Sequence, residues 1–183
     1  MQTQNRPPCR SSKASRGVLL IEILVALAIV AVLGCLVLPA FQQMLREYRL
    51  RVAAQDLSSQ IAWTRSEALR RSGRVTLRFT PLSDCPNGLP AGAKYCGWRI
   101  YQEADGQLLH QHLLPRGIHI SEVNSAGGDD VNFTGSDMDA IPGLGIKSFV
   151  LSAEGASGDR ASRILCMSSG GRVRIAAAGE CKA

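Results

Sequence analysis

The chain has 183 residues, 45% of them hydrophobic, which suits one folded domain of ordinary size plus an appendage. Its formal charge is +6, but Arg6, Arg10, Lys13 and Arg16 lie in the first 17 residues, where there is no acid. Removing those four leaves 17 basic against 15 acidic residues, so overall basicity does not by itself mark a nucleic-acid binder. No nucleophile beside a base and no paired carboxylates in an apolar setting stand out, so neither an enzyme nor a cofactor is expected.

Met1 to Gly17 is polar and basic, rich in Ser, Pro and Arg, and is expected to be disordered. Val18 to Leu38 is a stretch of 21 residues whose only ionisable groups are Glu22 and the thiol of Cys35. About 20 residues rising about 1.5 Å each cross a bilayer as a helix. An ordinary secretory signal has a shorter apolar region and then a small-residue cleavage site, and no such site follows this stretch before Pro39, so it is expected to remain as an anchor. The basic residues ahead of it place the N-terminus in the cytoplasm and everything after Phe41 outside it.

After Pro39 the pattern turns amphipathic, with Leu50, Ala54, Leu57, Ile61 and Ala68 at three-, four- or seven-residue steps. It runs to about Ser72 and stops at Gly73, a residue suited to a left-handed C-cap. From Val18 this makes one helix of about 55 residues, roughly 80 Å long, bent at Pro39 where a backbone donor is missing. Beyond Gly73 the period becomes two: Val75, Leu77 and Phe79 share one side of a strand. Further strands are expected at Trp98 to Glu103, Gln107 to Leu114, Ile118 to Val123, Ile146 to Leu151, Arg163 to Met167 and Arg172 to Ala177. Turn chemistry lies at Ala104-Asp105-Gly106 and Ser169-Gly170-Gly171. The expected class is α+β: residues 18–73 form the long helix, crossing the membrane over about 18–40, and residues 74–183 form an antiparallel β domain packed on the second half of that helix.

Of six cysteines, Cys9 falls in the basic segment and Cys35 in the apolar run, leaving Cys85, Cys96, Cys166 and Cys181. Four cysteines allow three pairings. Short loops favour Cys85 with Cys96 and Cys166 with Cys181, each bridge contributing about 3 kcal/mol in an oxidising compartment. Zinc spacings are missing. His110 and His112 share a strand face, but no Cys or carboxylate at a suitable spacing completes a metal set. Gly127-Gly128-Asp129-Asp130 and Asp137-Met138-Asp139 do not match a calcium loop, so metal is not expected. His119, between Ile118 and Ile120, is expected to face away from them at the surface, and Trp63 and Trp98 to pack in the core or at its rim.

The segment Arg16-Gly17-Val18-Leu19-Leu20-Ile21-Glu22-Ile23-Leu24-Val25 closely resembles the type IV prepilin signature, in which a leader ends in Gly and the fifth residue of the mature helix is Glu. That resemblance implies a leader over residues 1–17, cleavage between Gly17 and Val18 by a prepilin peptidase, and methylation of the new amino group. The chain departs from the pattern with Val18 in place of Phe and Leu19 where Thr is frequent. Chemistry gives Glu22 a role of its own. A carboxylate one turn into a membrane helix costs about 3 kcal/mol and needs a partner, and none of the basic residues remains nearby once the leader is gone. The best candidate is the N-terminal ammonium of a neighbouring subunit, a head-to-tail contact that does not close and so generates a helical filament. The alternative is a Glu reaching the interface in a single-span periplasmic binding protein that never polymerises.

The sheet domain with its late arginine hairpin looks like the GspH/FimT family of minor pilins and pseudopilins, and Gly171-Arg172-Val173-Arg174 resembles the GRxR motif of FimT-like minor pilins implicated in DNA uptake. On a strand Arg172 and Arg174 project together while Val173 and Ile175 turn to the core. With Arg160, Arg163 and Lys182, residues 158–183 hold five basic groups against Asp159 and Glu180. These are expected to form one patch for the phosphates of double-stranded DNA. Few aromatics lie nearby for stacking on single strands. The alternatives are an edge strand defended by charge and a GspH-like pseudopilin of type II secretion. The location implied is the bacterial inner membrane, then a pilus or pseudopilus in company with other pilins.

Overall fold

The computed structural model describes residues 20–85, 92–124, 128–135, 147–154, 162–168, 170–177 and 181. Two units are distinguished, one up to Ala40 and one from Phe41 onward. Helix α1, Leu20–Arg71, contributes to both and continues through Pro39. In the first unit its apolar side chains Leu20, Ile21, Leu24 and Leu33 are exposed. In the second, Leu50, Ala53, Ala54, Leu57, Ile61 and Ala68 are buried, as the three- and four-residue spacing requires.

The helix ends one residue earlier than its glycine suggests. Ser72 takes the left-handed conformation (φ 48°), and hydrogen bonds from Ser72 N–H to Leu69 O and from Gly73 N–H to Ala68 O, both 3.2 Å, close the turn. Gly73 is freed to lead into the sheet, and its carbonyl accepts from Gly135 N–H at 3.0 Å. Glu67 is buried in this last turn, 2.5 Å from Arg70 Nη2 and 2.6 Å from Arg71 Nε. The hydrogen bonds from Arg70 and then Arg71 hold its carboxyl down at about 2, against a burial effect of opposite sign. A carboxylate with a depressed folded pKa stabilises the fold above its ordinary value of 4.5, and that contribution is lost as pH falls toward 2. Glu67→Gln is therefore expected to lower unfolding free energy by about 2 kcal/mol near neutral pH. In urea titrations at successive pH values, the gap from wild type should close over that acidic window.

Among the described residues, eight antiparallel strands form one sheet: β1 Val75–Pro81, β2 Tyr95–Gln102, β3 Leu108–Leu113, β4 Ile118–Asn124, β5 Val131–Phe133, β6 Lys147–Ala153, β7 Ser162–Met167 and β8 Val173–Ala177. Their order is β5-β1-β2-β4-β6-β7-β8, with β3 also pairing to β2. The expected strands are present, and β5 is an addition. Its three residues are too few to show a period, yet Val131 and Phe133 are fully part of the core through pairing with Leu77 and Val75. Leu77, Ile100, Phe149 and Leu165 lie on the sheet face that closes over α1, and they join Leu57 and Ile61 in one hydrophobic cluster. Trp98 is fully buried and stacks on His112 at 4.6 Å, while Trp63 sits at the rim with its ring 6.0 Å from His110.

His119 corrects the sequence reading. It does point away from Ile118 and Ile120, opposite Ser152, but it is only 7% exposed. Burial pushes the His119 imidazole below its ordinary pKa.

Candidate functional site

The residues singled out by the sequence fall in both units. Glu22 lies in the first turn of α1, exposed among exposed apolar neighbours. That helix is long and apolar enough to cross a membrane. Pro39 lies within it, also exposed, and Gly17 and Val18 lie outside the described residues.

In the second unit, β7 and β8 form the arginine hairpin. Its turn is fixed at several points. Ser168 N–H donates to Arg172 O at 3.0 Å, Gly171 N–H to Ser168 O at 2.9 Å, and Arg172 N–H to Ser168 Oγ at 3.2 Å. Gly171 has φ 73°, which an L side chain would resist. From α1, Arg65 Nη1 donates to Gly170 O at 3.3 Å. A disulfide joins Cys166 on β7 to Cys181 beyond β8, with Cα atoms 5.7 Å apart. The other bridge, Cys85 to Cys96, ties the end of the β1 region to β2 at 6.1 Å.

The register decides what the arginines can do together. Arg174 is opposite Cys166, and Arg172 follows two residues earlier on the same face, opposite Ser168. Both are exposed, and neither forms an ion pair among the described residues. Arg163, however, is opposite Ala177 and shares a face with Leu165 and Met167, which belong to the core. It is half-buried and donates from Nη1 to Ser162 O at 2.9 Å. The single patch expected from the sequence is thus split across the sheet: Arg172 and Arg174 on one face, Arg163 on the other. Arg160 and Lys182 lie outside the described residues. Ile175 also departs from expectation. It is on the core face but 41% exposed, because β8 is the last strand of the sheet.

The polar loop before β5 is engaged by protein cations. The ammonium of Lys147, only 2% exposed, donates to Gly128 O at 3.0 Å and to Asp130 O. Arg78 Nε donates to Asp130 Oδ2 at 3.0 Å, and the Tyr95 hydroxyl donates to Asp129 Oδ2. Burial first, then the contact with Asp129, pushes the Tyr95 hydroxyl up to about 12. Gly127, Asp137, Met138 and Asp139 lie outside the described residues.

These features, a helix able to cross a membrane and a one-sheet domain ending in a disulfide-tied hairpin, can be set against known proteins. The sequence pattern of the family described as "Type II transport protein GspH" matches residues 53–178, more than half of the chain. The chain belongs to the GspH family. For this GspH-family chain the match starts on α1 at Ala53 and ends just beyond β8, so it takes in the hairpin but neither Glu22 nor Pro39. Two crystal structures of the type IV minor pilin FimU from Pseudomonas aeruginosa PAO1, in space groups P21 and P65, have the same fold. They align with TM-scores of 0.52 and 0.51 at 21% identity, covering 73% of this chain and 95% and 100% of theirs. No curated protein matches the chain by sequence. The expected type IV pilin-like fold and the GspH/FimT kinship are therefore the ones found, and family and fold alike are those of a minor pilin or pseudopilin.

Two residues of the domain were not legible beforehand. Arg65 reads as one more polar residue on a helix, and its contact with the hairpin turn spans 105 positions. Lys147 opens β6 at a core position, where alternation alone asks for an apolar residue, and only the folded loop at 128–130 supplies its acceptors.

Proposed function

We propose that this chain is a minor pilin of a type IV pilus that captures double-stranded DNA on its arginine hairpin. On this reading the precursor is cut between Gly17 and Val18, the segment 18–40 holds the subunit in the inner membrane with its sheet domain in the periplasm, and Glu22 pairs with the terminal ammonium of the next subunit during assembly. The observation that carries the DNA part is the shared, exposed face of Arg172 and Arg174 on a hairpin fixed by Ser168, Arg65 and the Cys166–Cys181 bridge. Guanidinium forks match phosphate oxygens, and a rigid strand presents both without ordering cost. With two such contacts, binding is sequence-independent, modest and steeply salt-dependent.

The test is gel-shift titration of residues 41–183, which contain every core residue among those described, against duplex DNA at several salt concentrations. Wild type should retard DNA at low salt, and Arg172→Ala with Arg174→Ala should lower the slope of log affinity against log salt by about 2. Arg163→Ala should change it little, because that residue is on the other face. Unchanged retardation in the double variant removes the site. If wild type itself retards nothing at low salt, the type II secretion reading that the family description favours takes its place.

A further inference from the structure

A second basic feature of the sheet domain lies apart from the hairpin. Arg46 and Arg49 stand three residues apart on α1, hence on one side of the helix. With Arg116, at the turn between β3 and β4, they line a cleft of about 430 Å³ that Gly117, Ile118 and Glu154 complete. That volume lies within the range of about 300–1,000 Å³ usual for small-ligand sites. The lining is not the usual one. Three arginines and one glutamate line it, a formal excess of two positive charges around a concave space, where field lines concentrate.

The far wall is fixed by backbone. Gly117 takes φ 82°, Ile118 N–H donates to Pro115 O at 3.0 Å, and Glu154 N–H donates to Gly117 O at 2.7 Å. Ile118 is buried in the core immediately below. Arg116 thus stands on a turn held by backbone hydrogen bonds, while Arg46 and Arg49 stand on a helix whose next residue, Leu50, is fully buried. Arginines placed around one cleft on two separate elements suit a compact tetrahedral oxyanion better than a planar carboxylate, because each can engage a different oxygen.

We propose that this cleft binds a phosphate group, and that the phosphate is the headgroup of an anionic phospholipid. Arg46 follows the apolar run by only eight residues of chain, so a subunit held by that run has such headgroups close at hand. The choice of source rests on the anchored reading above; the arginine cleft does not. Glu154 tunes the site by keeping its charge below that of three arginines, so that the headgroup can be released when the subunit leaves the membrane.

The test uses the full chain in nanodiscs, with arginine modification by phenylglyoxal read at Arg116 by mass spectrometry. Discs containing phosphatidylglycerol should slow modification at least about threefold relative to phosphatidylcholine discs, the factor given by a ligand at twice its Kd. Arg46→Ala with Arg49→Ala should abolish the protection, and Glu154→Gln should enlarge it, circular dichroism confirming that both variants are folded. Protection by inorganic phosphate in phosphatidylcholine discs, with none from phosphatidylglycerol, would keep the anion site and overturn the lipid as its source. Equal rates in all discs, protection that survives loss of Arg46 and Arg49, or protection by duplex DNA alone would overturn the proposal. None of these results depends on the hairpin, which Arg172→Ala with Arg174→Ala tests separately.

Discussion

Glu22→Leu should raise the amount of this protein in the membrane and cut its incorporation into filaments by at least about tenfold. The two effects have opposite signs for one reason. A carboxylate within the hydrocarbon costs about 3 kcal/mol on insertion scales, whereas leucine is favourable there, so the variant is the better membrane segment. On the assembly proposed above, what it loses is the partner for a neighbouring subunit's terminal ammonium, a contact that draws its strength from the low dielectric in which it forms. About 1.4 kcal/mol of lost pairing is already tenfold in an assembly equilibrium. The measurement is an immunoblot of sheared filaments against the membrane fraction. Glu22→Asp, which keeps the charge on a shorter arm, should fall between the two. If Glu22→Leu enters filaments as well as wild type, or if mature protein still begins at Met1 in cells with active peptidase, the assembly reading fails.

The helix and most of the sheet were legible because their signals are periodic and local. Leu50, Leu57 and Ile61 repeat at helical steps and are all fully buried, while Val75, Leu77 and Phe79 alternate and share the core face. What could not be read depends on chain segments meeting at a distance. β5 is too short to carry a period and exists only because β1 offers it an edge. The cap falls at Ser72 rather than Gly73, and a distant segment meets that turn: a Cβ on Gly135 would lie 2.5 Å from Ala68 O and 2.6 Å from Ser72 Cα. Arg163 was grouped with Arg172 and Arg174 because all three lie in or beside adjacent strands. Whether odd or even positions of two strands share a face is set by the turn between them. Here residues 169 to 171 separate the paired Ser168 and Arg172, which places odd with odd and sends Arg163 to the core side.

Gly97→Ala should damage the sheet domain severely for a single methyl, lowering unfolding free energy by about 3 kcal/mol or more. Gly97 sits in β2 with Thr80 of β1 on one side and Leu113 of β3 on the other. A Cβ there would lie 2.2 Å from His112 O and 3.0 Å from Leu113 Cα. Both are backbone atoms, so no side chain can rotate out of the way; the end of β3 must move. Moving it separates His112 from Trp98, whose stacked rings are 4.6 Å apart, and opens water access to the largest fully buried side chain of the core. In a domain of this size the loss corresponds to a melting temperature lower by about 10 °C or more, with tryptophan emission shifted toward that of a solvated ring. Gly106→Ala is a control of the opposite kind, since Gly106 has φ 68° but open space around it. Backbone strain alone then costs about 1 kcal/mol, and the tryptophan signal should not change. A Gly97→Ala protein that melts with wild type would show that β3 does not hold this register against β2, and with it would go the packing of His110 and His112 over the two tryptophans.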